Sequence, residues 1–197
     1  MRASRATYRH GFAQAKGRGG VKPAALVVRP RPSDRRQGIL RLGPHALPCA
    51  LGRGSTTPFK REGDGKTPIA RLPVLFGFFR PGCAHDLAPL RGKLPMRRAG
   101  KRLGWCDASG DRNYNRPVRL PYPASHEEMR RADRLYDACL VLDWNFSVRR
   151  RGRGSAIFLH LARPGFAPTE GCVAVCRRTM RRILGHLARG SIVIVKG

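Results

Sequence analysis

Two side chains carry the clearest chemistry in this sequence: Cys172, and His160 twelve positions before it. The run Gly154-Ser155-Ala156-Ile157-Phe158-Leu159-His160 reads as a buried strand that delivers the imidazole at its C-terminal end. A loop containing Pro and Gly, 161–168, then reverses the chain, and Thr169-Glu170-Gly171-Cys172-Val173-Ala174 follows. A thiol with a pKa of ~8.5 is mostly unreactive at neutral pH, and a neighbouring imidazole generates the attacking thiolate. Gly171 permits a positive φ and a close approach of substrate to the backbone. The backbone N–H groups of Gly171, Cys172 and Val173 can then face the oxyanion of an acyl intermediate. The set points to acyl transfer through a thioester, with Cys172 as nucleophile and His160 as general base. The competing reading is a buried cysteine and a core histidine that share a neighbourhood by coincidence.

The elements that must position this pair are mostly strands. Apolar runs at 24–29, 38–42 and 46–51, separated by Pro, Gly, Ser and Asp, predict a meander. A strongly apolar run follows at 69–79, and 138–145 and 155–161 read as buried strands. The segment 81–116 is irregular, and so long an excursion in a compact domain is usually a functional lid or insertion. Ser125 with Glu128 three residues on is a capping-box pattern, which predicts a short helix near 125–135. Over 177–188, Met180, Ile183, Leu184 and Leu187 fall at i, i+3, i+4 and i+7, which predicts an amphipathic helix. A closing strand is expected at 192–195. The expected domain plan is a flexible basic N-terminal tail, 1–22, and one catalytic domain, 23–197.

Composition sets the boundaries. Forty Lys and Arg against twelve Asp and Glu give a formal charge of +28 over 197 residues. That balance invites a polyanionic partner: nucleic acid, an anionic membrane surface or an acidic polymer such as a cell-wall glycopeptide. The arginines are scattered, however, and a genome-wide preference for Arg codons gives the same result. Aromatic residues make 7% of the chain and no basic stripe interleaves with a stacking platform, which argues against a nucleic-acid-binding protein without catalysis. No apolar run approaches the ~18–20 residues of a membrane-spanning helix. The apolar stretch 24–28 is shorter than the ~7–15 residues of a secretory signal core, so no export signal is visible.

Other motifs carry less. Lys60 to Thr67 ends like a phosphate loop, but Lys60 occupies the position of its first glycine and Pro68 stands where a helix would begin, so a turn is expected. His126-Glu127-Glu128 lacks the second histidine of a zinc-protease helix, because position 130 is Arg130. Cys83-Ala84-His85-Asp86 has no second ligand cluster, and no metal site or cofactor is expected. The six cysteines include no C-x-x-C pair, and most are expected to be buried apolar groups, Cys176 among them.

The block from His160 to Cys172 resembles the L,D-transpeptidase catalytic domain (YkuD) family. His160 matches the family's first His, Thr169 its Ser/Thr, Gly171 its Gly and Cys172 its nucleophile. Gly65-Lys66-Thr67-Pro68-Ile69 resembles its Thr-Pro segment. Glu170 replaces the motif's second His, the His-to-Cys spacing is shorter than usual, and Ala174 replaces the usual Asn or Arg.

This resemblance implies a mainly β fold, a β-sandwich or barrel of mixed strands with one helix after the cysteine. It implies attack of Cys172 on the carbonyl of an L-centre followed by a D-residue in peptidoglycan stem peptides, with transfer to a side-chain amine and no cofactor. Water as acceptor makes the same site a carboxypeptidase or endopeptidase. The resemblance further implies a backbone carbonyl orienting His160, a substrate-binding role for Thr169 and Glu170, and location in the periplasm or cell envelope. A carboxylate at Glu170 is repulsive toward an anionic stem unless it pairs with an Arg or orients the acceptor amine.

Overall fold

Alternating apolar residues put Leu26 and Val28, then Leu40 and Leu42, on the inner face of successive strands. In the computed structural model, which describes residues 23–83, 87 and 94–197, these strands open a barrel. Strands β1 (Ala25–Pro30), β2 (Gln37–Leu42) and β3 (His45–Ala50) form an antiparallel meander. Two short strands, β4 (Thr56–Thr57) and β5 (Thr67–Pro68), pair in parallel before the long β6 (Arg71–Phe79). The excursion carries β7 (Met96–Arg98), β8 (Leu103–Cys106), β9 (Arg116–Arg119) and β10 (His126–Glu128). The chain returns through β11 (Ala138–Leu142), β12 (Phe158–Leu161), β13 (Val173–Val175), helix α1 (Arg177–His186) and β14 (Ile192–Val195).

The main sheet runs β11-β12-β13-β3-β2-β1-β14-β6, and the pairing of β6 with β11 closes it into a mixed barrel. Strand β7 extends β6 in parallel, while β8, β9 and β10 form a separate small sheet. Closure removes the exposed edges that an open sheet presents to other chains.

One bulge decides where the site lies. Opposite Val141 and Leu142 the register of β6 jumps from Phe76 to Val74, leaving Leu75 as the extra residue. A bulge reverses the facing of residues beyond it. Leu72 and Val74 therefore point into the barrel core with Leu140 and Leu142, whereas Phe76 and Phe78 point outward with Cys139 and Val141. Those outward residues, with Phe158 and Cys172, form a second core beneath Trp105 and Met129 of the excursion. Burying each large apolar side chain there contributes roughly 1.5–3 kcal/mol, which holds the excursion against the barrel wall.

The expected strands at 24–29, 38–42, 46–51 and 192–195 are present with boundaries shifted by at most one residue. The expected helix ends at His186, because Leu187 leaves helical geometry with ψ 139°. The short helix expected near 125–135 is not formed. His126–Glu128 pairs antiparallel with β8 instead, and Arg134 holds a φ of 62° that no right-handed helix contains. Tertiary pairing has overridden a local capping pattern. The tail expected at 1–22, and residues 84–86 of the Cys83 motif, lie outside the described residues. Among the described residues no helix is long and apolar enough to cross a membrane.

Candidate active site

Cys172 and His160 line one cavity of about 330 Å³ between the outer barrel wall and the excursion. Strand alternation puts His160 on the same outward face of β12 as Phe158, and β13 pairs with β12 in parallel directly after Cys172. The sulfur is held by the start of β12. Cys172 Sγ accepts from the Phe158 N–H at 3.3 Å, and its thiol donates to the Ala156 carbonyl at 3.1 Å. The imidazole Nδ1–H donates to the Leu161 carbonyl at 2.8 Å, because a carbonyl can only accept. That bond leaves Nε2 unprotonated and free to take a proton. The edge of the Tyr136 ring packs against the imidazole, with centroids 5.1 Å apart.

Burial controls both charges. It pushes the Cys172 thiol up to about 12, and the negative charge of Glu127 adds to that shift. It also pushes the His160 imidazole down to about 4. The resting pair is therefore a neutral thiol and a neutral base, and not the preformed ion pair that the spacing alone suggests.

The turn ahead of Cys172 is built by hydroxyls. Thr169 Oγ1 donates to the Cys172 carbonyl at 2.8 Å and accepts from the Gly171 N–H at 3.1 Å. Thr67 Oγ1 reaches the same carbonyl at 3.3 Å and accepts from the Gly52 N–H at 2.8 Å, which explains why a Thr begins β5. Gly171 has φ 133°, and a Cβ there would lie 2.9 Å from the Lys66 carbonyl oxygen. A side chain is excluded on both counts.

Of the three amides expected to face an oxyanion, that of Gly171 is already engaged by Thr169. Cys172 and Val173 stand next along the same backbone. Thr169 is buried, its hydroxyl committed to the turn, whereas Glu170 sits exposed at the rim in an ion pair with Arg53 at 2.7 Å. The repulsion expected of a free carboxylate there is offset by that partner.

Several residues in and around the cavity carry no functional signature in the sequence. Lys60, only 3% exposed, pairs with Asp64, whose carboxylate also accepts from the Arg61 and Lys66 N–H groups and ties the segment into the expected turn. Tyr136 donates to Glu127. Asn115 is buried with φ 54°; its Oδ1 accepts from Trp105 Nε1 and the Ala156 N–H, and its Nδ2 donates to the Trp144 and Asn145 carbonyls. Cys176, expected to pack, is instead exposed at the start of α1. Among the described residues no group of three or more His, Cys, Asp or Glu side chains is arranged to hold a metal ion.

A family model of the L,D-transpeptidase catalytic domain matches residues 35–195. No curated protein matches the chain. Among solved structures, Mycobacterium tuberculosis L,D-transpeptidase 1 is similar at 11% identity and a TM-score of 0.38, over 88% of this chain and 63% of that one. An L,D-transpeptidase from Mycobacterium smegmatis is similar at 11% identity and a TM-score of 0.37, over 88% and 59%. Mycobacterium tuberculosis L,D-transpeptidase 3, in complex with a faropenem-derived adduct, gives 13% identity and 0.39, over 88% and 61%. The chain spans about three-fifths of the length of these structures.

Proposed function

Because the chain belongs to the L,D-transpeptidase catalytic domain (YkuD) family, we propose that it transfers acyl groups between peptidoglycan stem peptides through a thioester on Cys172. The observation that carries this reading is the shared cavity of Cys172 and His160, with the imidazole fixed by the Leu161 carbonyl so that Nε2 is the basic nitrogen.

In the first half-reaction Cys172 attacks the carbonyl of an L-centre while His160 Nε2 takes the thiol proton. Concerted transfer suits a site where burial opposes both the free thiolate and the free imidazolium. The oxyanion is received by the N–H groups of Cys172 and Val173. As the intermediate collapses, the C–N bond breaks and His160 returns the proton to the departing D-amino acid. In the second half-reaction an amine attacks the thioester, His160 accepts its proton, and the sulfur leaves and is reprotonated. Thr169 and Thr67 act as positioning residues through the Cys172 carbonyl, and Glu170 with Arg53 borders the substrate at the rim. The formal charge of +28 suits an acidic cell-wall polymer, and Arg can grip its carboxylates bidentately. The proposed place of action is the cell envelope.

Mass spectrometry after incubation with a tetrapeptide carrying an L-centre before a D-residue tests this directly. The expected result is a thioester on Cys172 and release of the D-amino acid, both abolished in folded Cys172→Ala. His160→Gln should slow release by roughly a hundredfold to ten-thousandfold. Undiminished release by Cys172→Ala would dispose of the proposal.

A further inference from the structure

The catalytic cavity has an electrostatic character opposite to that of the chain. Four of the twelve acidic residues, Glu62, Asp107, Glu127 and Glu170, line it, although the protein as a whole carries +28. Of its cations, Lys60 pairs with Asp64, while Arg131 and Arg163 share Asp133 and the Arg131 charge also acts on Glu127. Of the acids, Glu170 pairs with Arg53, whereas Glu62 accepts only a neutral donor, the Tyr114 hydroxyl. Glu127 and Asp107 form no ion pair among the described residues; Glu127 accepts only the Tyr136 hydroxyl. The lining carboxylates thus outnumber the lining cations by four to three, and Asp107 has no ion-pair partner among the described residues.

A second, independent observation lies on the same wall. Ser155, only 7% exposed, has a buried hydroxyl with no hydrogen-bond partner, and Asp107 Oδ1 is likewise buried and unpartnered. Buried polar atoms are normally satisfied, and both residues of this orphaned pair line the one cavity, so a donor entering from outside the protein can complete them. A primary ammonium has three N–H groups to give, and this wall offers three acceptors.

We propose that Asp107, Glu127 and Ser155 form the docking subsite for the primary ammonium of the acyl acceptor, an assignment that rests on the transferase reading above. A cation seated there adds to the Tyr136 hydrogen bond and the Arg131 charge in offsetting the burial that opposes ionisation of Glu127. The ammonium passes one proton to the Glu127 carboxylate and becomes the free amine. Its nitrogen then forms the C–N bond to the thioester carbonyl as the C–S bond breaks. Its second proton travels through His160 Nε2 to the departing sulfur, and Glu127 loses its proton to solvent.

The test is the partition of the acyl-enzyme between amine and water. The protein is acylated with the tetrapeptide donor, and Nα-acetyllysine competes with hydrolysis, beside an analogue with a hydroxyl in place of the amine. Only molecules that carry the thioester are scored, so an unfolded fraction does not enter the ratio. Glu127→Gln and Asp107→Asn should each lower the amine-to-water ratio about tenfold, and Ser155→Ala about threefold, with no matching loss for the hydroxyl analogue. A ratio unmoved in all three variants, or lowered equally for amine and hydroxyl, overturns this assignment and leaves the thioester reading intact. Absence of any thioester in the unaltered protein overturns both.

Discussion

The carbonyl of Ala156 accepts the Cys172 thiol at 3.1 Å, and Ala156 itself sits at a φ of 52°, in the left-handed region. An L-residue there costs roughly 1–2 kcal/mol, so the surrounding structure must impose it. Asn115 does so by accepting from the Ala156 N–H while bridging to Trp105, Trp144 and Asn145. Asn115→Ala orphans several buried groups at once and should cost about 2–4 kcal/mol in denaturant unfolding. It should also slow thioester formation, because the carbonyl that holds the sulfur is released. A loss below about 0.5 kcal/mol would show that Ala156 is held by something else.

His160 must be neutral to accept a proton, and burial lowers its pKa to about 4 from the ordinary 6.5. The acid limb of kcat/KM should therefore lie near pH 4, well below that of an exposed imidazole. A limb near pH 6.5 would mean that the ring is wetter than its packing against Tyr136 implies.

The same group links stability to pH. Between pH 6.5 and about 4 the unfolded chain binds a proton at this position that the folded chain refuses. Stability from His160 is thus fully present above pH 6.5 and is lost as pH falls through that window, by at most about 1.4 kcal/mol per pH unit. His160→Gln should flatten that part of the stability profile, and an unchanged slope would contradict the assignment.

Gly171→Ala places a Cβ 2.9 Å from the Lys66 carbonyl oxygen at a φ of 133°. The expected outcome is loss of release by at least a hundredfold, because a 1 Å shift of the nucleophile can cost that much. Wild-type turnover in this variant would show that the turn has room to spare.

Asp137 has a fully buried side chain that binds Arg80 at 2.6 Å, Arg134 at 3.0 Å and Arg177 at 3.5 Å. Asp137→Ala leaves the mostly buried Arg80 guanidinium uncompensated, which should cost about 3 kcal/mol by thermal or chemical unfolding. A change within experimental error would mean that water replaces the carboxylate.

The barrel strands are legible in the sequence because each buries alternate residues, as Leu26 and Val28 or Leu40 and Leu42 do, and α1 because its apolar stripe is unbroken. The pair of Cys172 and His160 is legible because a short reversal lies between them. The 125–135 segment is not, since its fate depends on β8, some twenty residues earlier in the chain. That Lys60, Asp107, Glu127 and Ser155 share one cavity is hidden for the same reason: each gains its place only through neighbours that the fold brings from elsewhere. The Leu75 bulge hides best of all, because a uniform apolar run over β6 gives no hint that its two halves face opposite ways.

A sulfur kept protonated and roofed by the excursion makes a poor target for small alkylating or oxidising reagents. Cys176 is exposed, and although partial burial raises its pKa, hydrogen bonds with Thr179 and the Arg178 N–H together with the Arg178 charge bring it below the ordinary value, so iodoacetamide or peroxide will find that thiol first. Generic thiol labelling would therefore mark Cys176 ahead of Cys172. An electrophile shaped to enter the cavity is needed to single out Cys172.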